Sequence, residues 1–188
     1  MVFHLDFEKA LQASAFMVRN QPTRTMNYMR LLKLLYIADR ESFRSFGKPI
    51  TGDRPVAMQR GPVLSELLDT IKGQGVKSSE WDRYFSRDSY MLSLSKDNDP
   101  GNHALSVREI QILSEVSQDH ASHDEWDMVD FTHQFDEWKK NQPPPSSSRP
   151  IQLEDILEAV GRGADAAAIR DAMEEDRRIE AQISRLSA

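Results

Sequence analysis

The segment from Thr25 to Phe46 constrains the fold more than any other part of the sequence, because its apolar residues cover most sides of a helix. A helix with so broad an apolar surface lies in the centre of a domain, covered by other elements. Thr25 is the predicted N-cap, and Gly47 takes the usual glycine position just past a helix end. The rest of the chain is therefore expected to wrap around this helix. Its apolar residues are Met26, Met29, Leu31, Leu32, Leu34, Leu35, Tyr36 and Ile37.

Shorter elements flank the central helix in the sequence. Apolar residues at helical spacing predict a first helix that starts at Asp6 and ends before Pro22. Alternation predicts a short strand at Val56–Met58 and a second over Ser89–Ser95, and we expect these two strands to pair. A glycine and a proline after the first strand predict a turn into a helix over Val63–Lys72.

Two capping boxes predict further helix starts. Ser106 precedes Glu109 by three residues, and Ser122 precedes Glu125 in the same way. In this arrangement the hydroxyl and the carboxylate satisfy free amide groups of the first helical turn. Together, these elements predict a mostly helical α+β fold. A buried central helix packs on a small antiparallel sheet, and a C-terminal helical tail follows.

A Pro/Ser segment divides the chain. Residues 143–150 begin with PPPSSS, in which the prolines favour an extended conformation and the serines add mobility. We therefore predict a domain over residues 1–142, a linker over 143–150 and a helical tail over 151–188.

The predicted tail carries two short apolar stripes. The first consists of Leu153, Ile156, Leu157 and Val160. The second, within Ala164–Leu186, has approximate heptad spacing with Asp176 at one core position. Such helices are marginal alone, so their apolar faces need a cover. Both stripes either dock back on the domain or cover a partner. We expect both, including Ile169, Ile179 and Ile183 of the second, to contact a partner or a second copy of the chain rather than the domain.

Charge is unevenly distributed along the chain. The 188 residues include 24 Lys and Arg and 30 Asp and Glu, a net charge of −6. Residues 1–60 carry +5 (10 against 5), residues 61–150 carry −7 (9 against 16) and residues 151–188 carry −4 (5 against 9). The stretch Asp119–Glu137 holds seven carboxylates and no Lys or Arg, which favours a basic protein partner over nucleic acid. The alternative is a solvated acidic face.

Composition and motifs exclude several classes of site. The chain has no cysteine, which rules out disulfides and thiolate metal sites and makes the cytoplasm the expected location. No apolar run approaches the roughly 18 residues of a membrane span, and acidic residues near the start predict no signal peptide. Phosphate-loop, GxSxG and HExxH motifs are absent. His120 and His123 with Glu125 straddle a predicted helix start. We therefore predict no catalytic residue, no metal and no cofactor.

Two blocks of sequence have a more specific pattern. Residues Leu31–Gly73 read LLKLLYIADRESFRSFGKPITGDRPVAMQRGPVLSELLDTIKG, and residues His123–Trp138 read HDEWDMVDFTHQFDEW. The first block resembles the signature of the Panacea domain, also called the SocA-like antitoxin family. That signature is a helix close to KLLYxADR, a glycine, a PITGD turn and a GPV step into another helix. The second block resembles the family's helix that ends in Thr-His before an aromatic residue. The matching positions are Tyr36, Asp39, Gly47, Gly52, Asp53, Gly61, Thr132, His133 and Trp138.

The resemblance implies a non-enzymatic protein of a bacterium or phage. It implies an antitoxin that binds and neutralises a cognate toxin protein, and some members deliver the toxin to an ATP-dependent protease. A homodimer is a further expectation, whereas a membrane or nucleic-acid partner is not expected. Arg60 stands where the family often has an aromatic residue, and residues after Pro145 lie outside the pattern. Partner choice can differ at both places.

The segment around the GPV step has two interpretations. It is either a hairpin that only fills the sheet or a partner-binding surface. Arg54, Gln59 and Arg60 supply hydrogen-bond donors around Met58 and Pro62, a mixture that protein interfaces use. The signature residues Thr132, His133 and Trp138, in contrast, are expected to pack as a cluster.

Two other functional classes stay open at this point. One is a DNA-binding phage or plasmid regulator, and the other is a nucleotide- or metal-dependent enzyme of unknown chemistry. An enzyme needs ionisable groups that converge in a pocket. A DNA reader needs an exposed basic helix. The exposure of four basic residues discriminates these classes: Arg24, Arg30, Lys33 and Arg40.

Overall fold

The computed structural model describes residues 2–186, except for the side chains of Glu180 and Ser184. Helices hold 54% of the chain, which confirms the mostly helical α+β prediction. The helices are α1 (Phe7–Arg19), α2 (Tyr28–Phe46), α3 (Ser65–Ile71), α4 (Ser78–Trp81), α5 (Val107–Asp119), α6 (Glu125–Thr132), α7 (Asp136–Lys140), α8 (Leu153–Ala159) and α9 (Ala166–Leu186). The strands are β1 (Thr25–Asn27), β2 (Pro55–Met58), β3 (Gly61–Leu64), β4 (Phe85–Asp88), β5 (Met91–Leu94) and β6 (Ser148–Pro150).

Helix α2 is the centre of the fold, as its apolar pattern predicts. Thirteen of its 19 residues are buried, and it contacts α1, α5, α6 and α8. The predicted N-cap, Thr25, is instead part of β1, and Asn27 caps the helix by accepting a hydrogen bond from the Met29 backbone at 2.9 Å. Strand β1 pairs with β5 from Thr25 through Asn27, so the helix begins only at Tyr28, two residues later than Thr25 as N-cap would place it. Gly47 ends α2 in the left-handed conformation, as predicted.

The strands form two antiparallel sheets with the orders β1-β5-β4 and β3-β2-β6. The expected pairing of the strand at Val56–Met58 with the strand inside Ser89–Ser95 is therefore wrong. Residues 59 and 60 form a two-residue turn after β2, so β2 pairs first with its neighbour β3. Its other edge is covered by β6. Residues 63 and 64, which were predicted to start a helix, belong to β3.

The two predicted capping boxes have different outcomes. Ser106 and Glu109 form the predicted box at the start of α5. At α6 the box is made by Asp124 and Asp127, two residues later than predicted. Asp is as good an N-cap residue as Ser, and the Asp124 carboxylate accepts hydrogen bonds from the backbone N–H groups of Trp126 and Asp127 at 2.8 and 2.9 Å.

Residues 148–160 belong to the body of the protein. β6 lies in the Pro/Ser segment and pairs with β2, which replaces the expected mobile tether with a sheet strand. Asn141 and Lys140 bind the Asp155 carboxylate of α8 at 2.7 and 2.6 Å. The expectation that the first tail stripe contacts a partner instead of the domain is wrong, because its residues are buried in the common core. The buried residues are Ile151, Leu153, Ile156, Leu157 and Val160.

The last helix, α9, is held to the body at its start and exposed beyond it. Ile169 is 6% exposed and packs against Gly47, whereas Ile179 and Ile183 are 45% and 58% exposed. Ser187 and Ala188 of the predicted tail lie outside the described residues. The division of the chain into a domain (1–142), a linker (143–150) and a tail (151–188) stays a prediction.

Candidate functional site

The two sequence blocks meet on one buried carboxylate. Tyr36 and Arg40 of α2 donate hydrogen bonds to Oε1 of Glu137 at 3.0 and 2.8 Å. Glu137 is 1% exposed, and the Arg40 guanidinium also lies 4.3 Å from the centre of the Phe135 ring. Burial and the nearby Glu137 raise the pKa of Tyr36 well above its usual value, so its hydroxyl remains a donor. This contact joins the end of the second block to the centre of the first.

A second contact joins the same block to the hairpin formed by β2 and β3. The indole Nε1 of Trp138 donates to the Met58 carbonyl oxygen at 3.0 Å. The His133 ring stacks on Trp138 at 3.9 Å with an angle of 11°. Burial, together with the Lys33 charge, lowers the pKa of His133, which favours the neutral imidazole. The aromatic pair therefore fixes the last residue before the hairpin turn.

The third contact requires a glycine. Gly61 adopts φ +94°, and a Cβ atom there would lie 2.7 Å from Thr132 Oγ1 and 2.8 Å from Lys33 Nζ. The Lys33 ammonium donates to the carbonyl oxygen of Pro62 at 2.9 Å. Burial lowers the pKa of Lys33 to about 7. Close packing of α2, α6 and β3 is thus possible only without a side chain at position 61.

Two buried aspartates hold the turn before the hairpin. Asp39 accepts hydrogen bonds from the backbone N–H groups of Ile50 and Thr51 at 2.8 and 2.9 Å. Asp53 accepts from those of Glu66 and Leu67 at 3.1 and 2.8 Å, at the start of α3. Burial raises the pKa of Asp39 to about 6 and that of Asp53 to about 7, against the opposite effect of these hydrogen bonds.

Gly52, between these two carboxylates, also lies where a side chain does not fit. It has φ +68°, and a Cβ atom there would overlap the carbonyl oxygen of His4. The segment before α1 therefore packs directly on the turn. Tyr36 binds Glu137, and Gly47 packs against Ile169. The other signature residues of both blocks hold the hairpin or the turn before it in place.

The hairpin presents a surface rich in aromatic and sulfur-containing side chains. Gln59 and Arg60 at its turn are exposed. The Arg60 guanidinium lies 5.1 Å from the centre of the Trp126 ring and donates to the Met29 sulfur at 3.8 Å. Trp126 and Tyr90 are each 53% exposed. We call this region the tip surface, and its residues are Met29, Met58, Gln59, Arg60, Tyr90 and Trp126.

The structure separates the residues that the sequence grouped as partner contacts. Met58, Gln59 and Arg60 lie on the tip surface, whereas Pro62 is buried in β3. Arg54 lies at the far end of the hairpin, where its guanidinium donates to Ser65 Oγ at 3.2 and 3.3 Å. Ile169 is buried within the chain, so a partner reaches it only if α9 leaves the body.

Three residues of the tip surface were not predicted from the sequence. The sequence places Met29 in the core and Tyr90 in a strand, and it places Trp126 in the acidic stretch and in the second block without a role of its own. The signal available for Trp126 was its position in the first turn of a helix between Glu125 and Asp127, where a core residue is not expected.

The four basic residues whose exposure would indicate a DNA-binding protein make hydrogen bonds or ion pairs within the chain. Arg30 donates to the carbonyl oxygens of His123 and His120 at 2.7 and 3.0 Å. Arg24 pairs with Asp99 at 3.0 Å. Lys33 and Arg40 make the contacts described above. These four side chains therefore do not form an exposed basic face.

His120 and His123, which precede α6, pack against each other and against Phe131. His120 Nδ1 and His123 Nδ1 lie 2.9 Å apart, and the His120 ring packs edge-on against Phe131 at 4.6 Å. Burial and the His123 neighbour lower the pKa of His120.

Across the described part of the chain, no group of three or more His, Asp or Glu side chains is arranged to hold a metal ion. Within residues 2–186, no helix combines the length and apolar character needed to cross a membrane.

Comparison with protein families gives a match that covers both blocks. Residues 31–139 match the family described as antitoxin SocA-like, Panacea domain. The chain belongs to this family. Its Panacea domain contains α2 from residue 31, the hairpin, both glycine positions and the Glu137 contact. Helix α1 and residues 140–188 lie outside the match. Searches of curated proteins and of solved structures found no match.

Proposed function

We propose that this protein is an antitoxin that neutralises a cognate toxin protein by direct binding, with the tip surface as the main contact. Membership of the SocA-like antitoxin family supports the antitoxin role. The observation that carries the choice of surface is the exposed Trp126 beside Arg60 and Met29. Trp, Tyr, Met and Arg are enriched in protein interfaces, and Trp, Tyr and Arg in their energetic hot spots.

The way in which the hairpin is held favours tight binding. Met58 is fixed by Trp138, and Gly61 is packed against Thr132 and Lys33. A surface that is ordered before binding loses less conformational entropy when the partner arrives. The signature residues thus contribute to affinity indirectly, by keeping the tip surface rigid.

The acidic residues around Trp126 indicate which kind of toxin surface would bind there. Trp126 stands between Glu125 and Asp127, and Asp124 and Asp130 lie on the same helix or at its cap. An acidic surrounding of an aromatic anchor favours a basic toxin surface and accelerates its association at low salt. The exposed part of α9, with Ile179 and Ile183, is the proposed second contact, either with the toxin or with a second copy of the chain.

The fate of the bound toxin distinguishes two forms of the mechanism. Occlusion leaves the amount of toxin unchanged, whereas delivery to an ATP-dependent protease lowers it. The half-life of the toxin in cells with and without this protein separates the two. In both forms, toxin and antitoxin meet in the cytoplasm.

The test is co-expression with the product of the adjacent gene. The neighbour alone is expected to arrest growth, and this protein is expected to restore it. Arg60→Ala and Trp126→Ala are expected to weaken toxin binding at least about tenfold, as for hot-spot residues. Val76→Ala is the matched control, because Val76 is fully exposed and outside the tip surface. A harmless neighbour would refute the antitoxin role, and rescue by both variants would refute the choice of surface.

A further inference from the structure

A cleft beside the hairpin is lined by three basic residues and no acidic one. Its volume is about 490 Å³, and it lies between α2, the hairpin and the serines before β6. Lys33 lies at its floor, and Arg60 and Lys72 lie nearer to solvent. In a chain with 30 acidic and 24 basic residues, a cleft without a carboxylate stands out. Low-dielectric walls concentrate the positive potential inside such a cleft.

Lys33 is the strongest indication of a ligand. Lys33 is buried at 2% exposure, and within the described part of the chain its ammonium group makes one hydrogen bond, to the carbonyl oxygen of Pro62. An ammonium has three donors, so two remain for another acceptor. Among the described side chains, no carboxylate lies within 4 Å of Lys33 Nζ. Burial of an unpaired cation is unfavourable, and an anion in the cleft would offset this cost.

The remaining walls match the other parts of an organic phosphate. Tyr28 and Tyr90 stack on each other at 5.7 Å with an angle of 24° and form one side. Ser146 and Ser148 also line the cleft. Clefts of about 300–1,000 Å³ hold small organic ligands, and this volume exceeds what a single carboxylate side chain fills. Aromatic faces, hydroxyls and cations together fit a ring that bears a phosphate.

We propose that this cleft binds a phosphate-bearing small molecule of about mononucleotide size, with Lys33 and Lys72 as the main phosphate contacts. Gly61 leaves room for Lys33, because a Cβ atom at residue 61 would lie only 2.8 Å from its ammonium nitrogen. Five of the six tip-surface residues also line this cleft, namely all except Trp126. Binding of the small molecule does not require a toxin, and it is tested without one.

The experiment is calorimetric titration of the full chain at low salt and pH 6.5 with inorganic phosphate, adenosine monophosphate, adenosine and citrate. Adenosine monophosphate is expected to bind, and adenosine is not. If inorganic phosphate binds with the same affinity as adenosine monophosphate, the site is supported and free phosphate is its ligand. Failure of both phosphate probes, or tighter binding of citrate, would overturn the proposal.

Variants locate the site. Lys33→Met keeps the apolar stem and is expected to weaken binding by about tenfold or more, since it removes a charge-assisted hydrogen bond. Lys72→Gln is expected to weaken it several-fold, and Lys96→Met, at an exposed lysine outside the cleft, is the matched control. If Lys33→Met does not fold, as judged by circular dichroism, Lys72→Gln decides the outcome. Unchanged affinity in the folded variants would refute the proposal.

The pH dependence gives a second readout that a structural role would not produce. Lys33 has a pKa of about 7 in the free protein, so anion binding is expected to take up a proton and to weaken as pH rises through 7. Titrations in buffers of different ionisation enthalpy measure this uptake. Affinity that is constant from pH 6 to 9 would overturn the role of Lys33.

Discussion

At the scale of single residues, the packing of the hairpin depends on the absence of a side chain at Gly61. We predict that Gly61→Ala destabilises the protein by about 2–4 kcal/mol. Part of the loss comes from a non-glycine residue at positive φ, about 1–2 kcal/mol, and the rest from the clash with Thr132 and Lys33. Urea denaturation monitored by tryptophan fluorescence measures the change.

Gly73 provides the matched control for Gly61. It has φ +78°, and a Cβ atom added there would meet nothing within 4 Å. Gly73→Ala therefore carries the backbone strain alone and is expected to cost about 1–2 kcal/mol. Equal losses in the two variants would show that the contact with Thr132 and Lys33 is unimportant.

Lys33 gives a prediction about pH. Its pKa is about 7 in the folded state, and its value in an unfolded chain is about 10.4. Between these values the unfolded chain binds more protons, so the free energy of unfolding is expected to rise as pH increases from about 7 to 10. Lys33→Met is expected to remove this rise, whereas Lys96→Met retains it. Denaturation curves at several pH values provide the test, and parallel profiles for wild type and Lys33→Met would contradict it.

At the scale of elements, α3 begins without a capping side chain of its own. Leu64 is its N-cap residue, and Asp53 of the preceding turn accepts from the first free amides instead. Asp53→Ala leaves two amides without this acceptor and is expected to cost about 2–4 kcal/mol. Hydrogen exchange at the Glu66 and Leu67 amides is expected to accelerate. Asp69→Ala, an exposed position on the same helix, is the control and is expected to be near neutral. Unchanged exchange in Asp53→Ala would refute the capping role.

Elements with strong local signals were predictable, and those that depend on distant partners were not. The apolar pattern of α2 and the glycine at 47 are local, and both were predicted. The pairing of β2 with β6 joins residues about ninety positions apart, and no turn connects them. The Pro/Ser composition of residues 143–150 predicts an extended chain but not its neighbour. The same holds for the tip surface, where Met29, Tyr90 and Trp126 come from three separate segments.

At the scale of the whole molecule, the family match and the physical core have different extents. The match ends at residue 139, but the core continues through α8 to the start of α9. Among its described residues, the tail contributes six buried aliphatic side chains: Ile151, Leu153, Ile156, Leu157, Val160 and Ile169. Burial of each stabilises by about 1.5–3 kcal/mol, so their sum is comparable to the whole stability of a typical domain. We therefore predict that the segment matched by the family needs residues 151–169 in order to fold.

Two truncations test this requirement and separate folding from binding. A chain that ends after Asn141 loses β6 and the six buried residues, and it is expected to have no cooperative thermal transition. A chain that ends after Glu174 keeps all of them and is expected to melt within a few degrees of the full protein, because most side chains after Glu174 are exposed. The proposed contact by Ile179 and Ile183 predicts that this second chain binds toxin more weakly. Calorimetry and toxin binding measure the two effects. A native-like transition in the chain that ends at Asn141 would show that residues 151–169 are not part of the fold. Full toxin affinity in the longer chain would restrict the interface to the tip surface.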